Sequence, residues 1–153
     1  MVCVGNTLSN SKVIPEGILQ GFVLSCTCFM IAIDEIISNL PQSISATLYV
    51  DDLCIFASGS IPHLIEHRLQ NAINSIVLWT HRTGFKFSPW KTFSMHICRR
   101  RGCSRMVCNL TIGNNTIVCV EHYKFLGLYF DTALRWKHHV TQLKVSVPPY
   151  MGS

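Results

Sequence analysis

The sequence predicts an α+β domain whose sheet is mainly antiparallel, with helices packed on one face. Three observations carry that expectation. One is a long uncharged apolar run, another is a pair of apolar segments joined at two aspartates, and the third is the alternation of strand pairs with single helices along the chain. The length of 153 residues fits one domain with a real core.

The elements follow in order. Val2 to Val13 contains two short strand-like stretches around a turn at Gly5 and Asn6, and a loop runs on to Gly17. From Gly21 to Ile33 no charge interrupts the apolar run. A membrane span needs about 20 apolar residues, whereas about 10 to 14 make a buried core helix, so no membrane is expected. That helix continues through Asp34, Glu35, Ile36 and Ile37 and ends before Pro41, because proline pushes the preceding residue out of helical geometry. Ala46 to Val50 and Leu53 to Ala57 are apolar or aromatic on both faces, which suits two central strands of a covered sheet with Asp51 and Asp52 at the hairpin tip.

Ser60 is placed to cap a second helix, with Pro62 in its first turn. Ile65, Leu69, Ala72, Ile73, Ile76 and Trp79 form its buried stripe, and Gly84 ends it. After Lys91, Phe93, Met95 and Ile97 alternate with Ser94 and His96, predicting a half-buried strand. A basic turn with Arg99, Arg100, Arg101 and Arg105 comes next. A hairpin then turns at Gly113, Asn114 and Asn115, and the closing residues Val145 to Ser153 read as an irregular tail.

Composition narrows the function. Hydrophobic residues make up 48% and charged residues 14%, which excludes a disordered tail and suggests surfaces meant for other parts of a larger protein. The net charge of +5 favours a polyanionic partner without identifying one. Eight cysteines contain no CxxC pair, and the N-terminus has no signal peptide, so reduced thiols packed as small hydrophobes in an intracellular protein, nuclear or cytoplasmic, are expected. His96, Cys98 and Cys103 leave a small Cys/His metal domain as an alternative, although their spacing matches no common zinc module.

The chemistry concentrates at Asp51 and Asp52. Two adjacent carboxylates in a partly desolvated place raise each other's pKa unless a cation compensates them. Hard oxygen ligands select Mg²⁺, held by one or two carboxylates plus substrate phosphates, so phosphoryl transfer is the reaction class suggested. An exposed turn-stabilising pair is the competing explanation.

Tyr49-Val50-Asp51-Asp52 between apolar strands resembles the YxDD box of reverse transcriptases, and other motifs follow in family order. GILQGFVLS (17–25) is similar to the family's GxPQGSxLSP loop, GFKFSPWKT (84–92) to its loop ending in lysine, and YKFLGLYFD (123–131) to its primer-grip hairpin. LRWKHHV resembles the lead into the thumb, and the whole is similar to the polymerases of jockey-like non-LTR retrotransposons.

The resemblance implies a partial polymerase palm over residues 1–131 and the start of a thumb-like segment with a tail over 132–153, with fingers and most of the thumb missing. It implies that Asp51 and Asp52 are catalytic metal ligands for Mg²⁺ in a two-ion mechanism, with Lys91 facing the triphosphate. Gln20, Gly21, Tyr49 and Val50 would line the nucleotide and template, and Phe125, Leu126 and Gly127 would grip the primer. Partners would be an RNA template, a DNA primer and deoxynucleotides. Leu19, Phe22 and Cys26 depart from the family pattern, and the first catalytic Asp expected on an upstream strand has no counterpart among residues 1–16, where Glu16 is the one acid. The chain is therefore expected to be an incomplete nucleotidyltransferase, inactive alone. The alternative is a decayed, non-catalytic retroelement copy that binds nucleic acid weakly.

Overall fold

A computed structural model describes residues 3–10, 21–99 and 108–146. Gln20, Leu19, Glu16, Cys103 and the arginines at 100, 101 and 105 lie outside those residues, as does the tail from 147. The contacts divide the chain into two units, Met1–Glu35 and Ile36–Ser153.

In the first unit β1 (Cys3–Val4) pairs antiparallel with β2 (Thr7–Leu8) around Gly5 and Asn6, as expected. Gly5 has φ +61, the sign a two-residue hairpin loop demands at its first position. Helix α1 (Ser25–Ser38), whose last three residues belong to the second unit, starts later than the apolar run does, since Gly21 to Leu24 form turns. The expected burial of this helix does not hold. Ile33 and Ile36 are buried, whereas Phe22, Val23, Leu24, Met30 and Ile31 are exposed. Its end tightens, with Asn39 and Leu40 N–H donating to the Ile36 and Ile37 carbonyls, before Pro41.

In the second unit β3 (Ser45–Tyr49) pairs antiparallel with β4 (Asp52–Phe56). Register puts Ala46, Leu48, Leu53 and Ile55 on one half-buried face. The opposite face carries Ser45, Thr47, Tyr49, Asp52, Cys54 and Phe56, and only Cys54 there is half-buried. These strands are thus covered on one side, not on both as their composition suggested.

Helix α2 (Pro62–Thr83) holds the core. Pro62 opens it and Gly84, at φ +80, closes it by donating its N–H to the Thr80 carbonyl. Ile61, not Ser60, is the N-cap residue, and it has no side-chain oxygen to offer. Ala72, Ile73, Ile76 and Trp79 are buried as the stripe predicted, with Trp79 against the Phe85 ring at 4.9 Å.

A short 3-10 turn, Pro89–Lys91, leads into β5 (Phe93–Ser94). The expected strand is cut short and its alternation is lost: Phe93 and Ile97 are exposed while Ser94, Met95 and His96 in succession are half-buried. β6 (Thr111–Ile112) and β7 (Asn115–Thr116) form the expected hairpin, turning on Gly113 at φ +57. β8 (Val118–Cys119) pairs parallel with β5. β9 (His122–Phe125) and β10 (Leu128–Asp131) form the last hairpin, and α3 (Lys137–Ser146) follows it, so the helix includes Val145 and Ser146, which the sequence suggested were tail.

The molecule is therefore mixed helix and strand, and among the described residues four of the five ladders are antiparallel. They do not join into one sheet: each ladder among the described residues has two strands. What unites α2 with the hairpins is packing and polar clamping. Ile73, Leu110 and Ile117 form a buried cluster with Ile55, Leu69 and Ile112 against it. The Gln70 side-chain amide both donates to the Thr111 carbonyl and accepts the Thr111 N–H, each at 2.9 Å, and Glu66 accepts the Asn109 N–H one turn earlier.

The thiols also differ from expectation. Cys98 is disulfide-bonded. Cys26 and Cys28 are exposed, and Cys54, Cys108 and Cys119 are half-buried and reduced. Burial pushes the Cys108 thiol up, and Glu66 and Cys119 push it further, which keeps it protonated in its apolar surroundings.

Candidate functional site

The β3–β4 hairpin closes through Tyr49 opposite Asp52, which leaves Val50 and Asp51 as a two-residue loop. Val50 has φ +55. Gly5 and Gly113 hold the same place in the two other hairpins with a positive φ at the first loop position alone, and glycine does so without steric cost. A β-branched residue in that region is an outlier that marks strain. The strain falls on the residue that presents the aspartates.

Asp51 and Asp52 are both exposed. Water therefore screens them, and the desolvation invoked from the sequence is slight in this chain. Exposure also leaves their oxygens accessible to an ion that keeps part of its water shell, and a consecutive carboxylate pair is a donor set that suits Mg²⁺. Among the described residues no group of three or more His, Cys, Asp or Glu side chains is arranged to hold a metal. Beside the pair, burial pushes the Cys54 thiol up, so it adds no negative charge. Tyr49 and Val50 flank the carboxylates with exposed apolar surface.

The sequence-predicted residues fall into separate groups. Tyr49, Val50, Asp51 and Asp52 share one hairpin. Phe125, Leu126 and Gly127 lie at the turn of the β9–β10 hairpin, where Leu126 at φ +47 and Gly127 at φ +83 make a two-residue loop with both positions left-handed. Lys91 is exposed at the end of its 3-10 turn. Its segment leans on the second group: β5 pairs with β8, Phe93 meets the Tyr123 ring at 5.2 Å, and Cys98 N–H donates to the Thr132 carbonyl. The two hairpins share no ladder among the described residues. Gly21, at φ +88, belongs to the first unit, and Gln20 is not among the described residues.

An open cleft of about 390 Å³ lies elsewhere, between the end of α2 and Gly113, lined by Val77, His81, Phe85 and Ile112; none of the predicted site residues borders it. Sequence reasoning passed over Asp131. Burial pushes its carboxyl up, but the N–H groups of Arg135, Ala133 and Trp136, with His122 nearby, outweigh this and hold it below the usual carboxylate range. It stands six residues ahead of α3, and the readable signal is that of an Asp whose side chain accepts the backbone N–H two residues on.

No described helix is long and apolar enough to cross a membrane. A family model described as reverse transcriptase (RNA-dependent DNA polymerase) matches residues 2–130. The chain is also similar to the RNA-directed DNA polymerase from mobile element jockey of Drosophila melanogaster, at 21% identity over 149 residues. That alignment covers 94% of this chain and 16% of the relative. No solved structure matches the chain at a significant level.

Proposed function

The chain belongs to the reverse transcriptase (RNA-dependent DNA polymerase) family, and from that premise we propose that it is the palm portion of an RNA-directed DNA polymerase whose complete polypeptide extends a DNA primer on an RNA template. Residues 1–131 are the palm, with 132–153 opening the thumb. The reaction joins the primer 3′ oxygen to the α-phosphorus of a deoxynucleotide and releases pyrophosphate. Its place is inside the cell, in nucleus or cytoplasm.

One observation carries the reading: the Asp51–Asp52 pair is presented by a turn that puts β-branched Val50 at φ +55, where the turns at Gly5 and Gly113 use glycine and the β9–β10 turn uses Leu126. Strain of this kind persists where the surroundings fix it and clusters at functional sites. Polymerases of this family generally use divalent metal ions, and Asp51 and Asp52 are the residues that would hold Mg²⁺. When bound, it would neutralise charge on the phosphates. Tyr49 supports the hairpin and shields one side of the pair. Gln20, Gly21 and Val50 approach nucleotide and template, glycine permitting close backbone contact. Lys91 faces the triphosphate. Phe125, Leu126 and Gly127 hold the primer end, on the hairpin against which the Lys91 segment packs.

The relative is much longer than this chain, and the two aspartates come from one hairpin. The chain alone is therefore expected to incorporate no nucleotide with Mg²⁺, primer, RNA template and all four deoxynucleotides. Joined to a preceding segment that supplies a further acidic strand, it should extend the primer, and Asp51→Ala should abolish that extension. Activity of the longer polypeptide that survives Asp51→Ala would refute the site.

A further inference from the structure

Between the end of β10 and the start of α3 the chain turns within five residues, 132–136, and two bulky residues there are left-handed: Leu134 at φ +50 and Trp136 at φ +61. Side chains of that size rarely adopt this conformation, so something must hold the turn. Asp131 does. Its Oδ1 accepts the Ala133 N–H at 2.9 Å and the Arg135 N–H at 3.1 Å; its Oδ2 accepts Arg135 and Trp136 N–H, each at 3.0 Å. Its backbone carbonyl accepts the Leu134 N–H at 3.0 Å. All four N–H groups of 133–136 thus end on one residue, whereas an ordinary N-cap satisfies one or two.

The turn fixes where α3 points, because Val140 N–H already donates to the Trp136 carbonyl. Further contacts lock the helix to the hairpin. Trp136 meets Phe130 at 5.4 Å, Tyr129 N–H donates to His139 Nδ1 at 3.4 Å, and His138 lies against both Tyr129 and His122. Asp131 is the one acid between His122 and Ser146, and its oxygens are turned inward onto the turn. Lys124, Arg135, Lys137 and Lys144, on the hairpin, the turn and the helix it joins, are exposed. Lys137 and Lys144, two helical turns apart, share a face of α3.

We infer that Asp131 is a positioning residue: its carboxylate sets the angle of α3 to the β9–β10 hairpin so that Lys124, Lys137 and Lys144 engage the phosphates of one primer–template hybrid together. This rests on the polymerase reading and deepens it by assigning the joint between its two nucleic-acid surfaces. Asp131 itself touches no nucleic acid. It lies one residue beyond the span that the family model matches.

The test uses the full chain and a fluorescent RNA–DNA hybrid, with anisotropy measured across a salt series. The slope of log K against log salt is about −0.9 per phosphate contact, so loss of two lysine contacts should flatten it by roughly 1.8 and weaken binding by about 60-fold near 0.1 M salt. Asp131→Asn, which puts an amide NH₂ where one oxygen accepted N–H bonds, should produce that flattening. Lys137→Ala with Lys144→Ala should match it, and adding Asp131→Asn to that pair should change nothing more. Amide exchange is the second readout: Ala133, Arg135 and Trp136 should exchange faster in Asp131→Asn while α2 stays protected. If Asp131→Asn disturbs α2 as well, Trp136→Gly, which loosens the same turn with the carboxylate intact, carries the same expectation. Faster exchange at the turn with an unchanged salt slope would overturn the positioning role and leave the polymerase reading standing. Failure of the unsubstituted chain to bind the hybrid in a salt-dependent way would overturn the inference together with the reading beneath it.

Discussion

Replacing Val50 by glycine asks whether the turn that presents the aspartates is strained. A residue held in a sparsely populated backbone region costs about 1–3 kcal/mol, and Val50 is held at φ +55. Glycine removes that cost but gives the unfolded chain more freedom, which returns about 0.4–1 kcal/mol in the opposite sense. Val50 is 52% exposed and outside the core, so truncation forfeits little burial. The difference is a stabilisation of about 1 kcal/mol for Val50→Gly. Gly113→Ala is the mirror experiment: at φ +57 an added methyl meets nothing within 4 Å, so backbone strain alone should destabilise by about 1 kcal/mol. Urea unfolding followed by tryptophan fluorescence, to which buried Trp79 contributes, reads both changes. In the longer, extending polypeptide Val50→Gly should slow incorporation, because a looser turn spreads the orientations of Asp51 and Asp52. A Val50→Gly chain destabilised as much as Gly113→Ala would refute the strain and remove the observation on which the site rests.

The Gln70 clamp should be worth about 1–3 kcal/mol for two net hydrogen bonds, so Gln70→Leu should lower the urea midpoint and speed amide exchange at Thr111; unchanged exchange there would show that the clamp is idle. Trp79→Ala empties the centre of the core and should cost about 3–5 kcal/mol, and a loss well under 1 kcal/mol would place the core elsewhere. The Asp131 carboxyl is depressed, so the stability it lends is present above the unfolded value of about 3.9 and is lost as pH falls through its lower folded value. The urea-midpoint gap between the native chain and Asp131→Asn should accordingly be full near neutrality and close below about pH 4; a gap constant down to pH 2 would refute it. Because Phe22, Val23, Met30, Ile31, Tyr49 and Phe56 are exposed, the chain alone should bind a hydrophobic dye or self-associate, and a dye-silent monomer at sedimentation equilibrium would contradict that exposure.

Much of the fold was legible because its signals are local. The stripe on α2, its Pro62 start and Gly84 stop, and the turns at Gly5 and Gly113 follow from side-chain period and glycine stereochemistry, which need no partner to act. What failed depended on what covers what. The run from Gly21 to Ile33 and the strands beside Asp51 have core composition, but here they keep exposed faces, because hydrophobicity specifies that a surface prefers burial without saying which surface meets it. The strand after Lys91 failed for a related reason: β5 takes its register from β8 across a loop of more than twenty residues, and no alternation within the segment encodes that. The sheet fragmented likewise, since non-local pairing is not written into any one strand.

The proposed site was legible in a different way. Motif order brought Tyr49 to Asp52 and Phe125 to Gly127 onto two hairpins, but their physical peculiarities required backbone angles. Even so, one peculiarity left a trace in the sequence. A two-residue hairpin loop wants glycine or asparagine where φ is positive, a rule this chain obeys at Gly5 and Gly113 and breaks with Leu126 at φ +47 in the β9–β10 turn. Between Tyr49 and Asp52 it places valine instead. Local rules are broken where function constrains the residue and the surrounding structure absorbs the cost. The Tyr-Val-Asp-Asp tetrapeptide is informative for that reason: its second residue is wrong for the turn it must make, and the wrong residue stands directly before the two carboxylates.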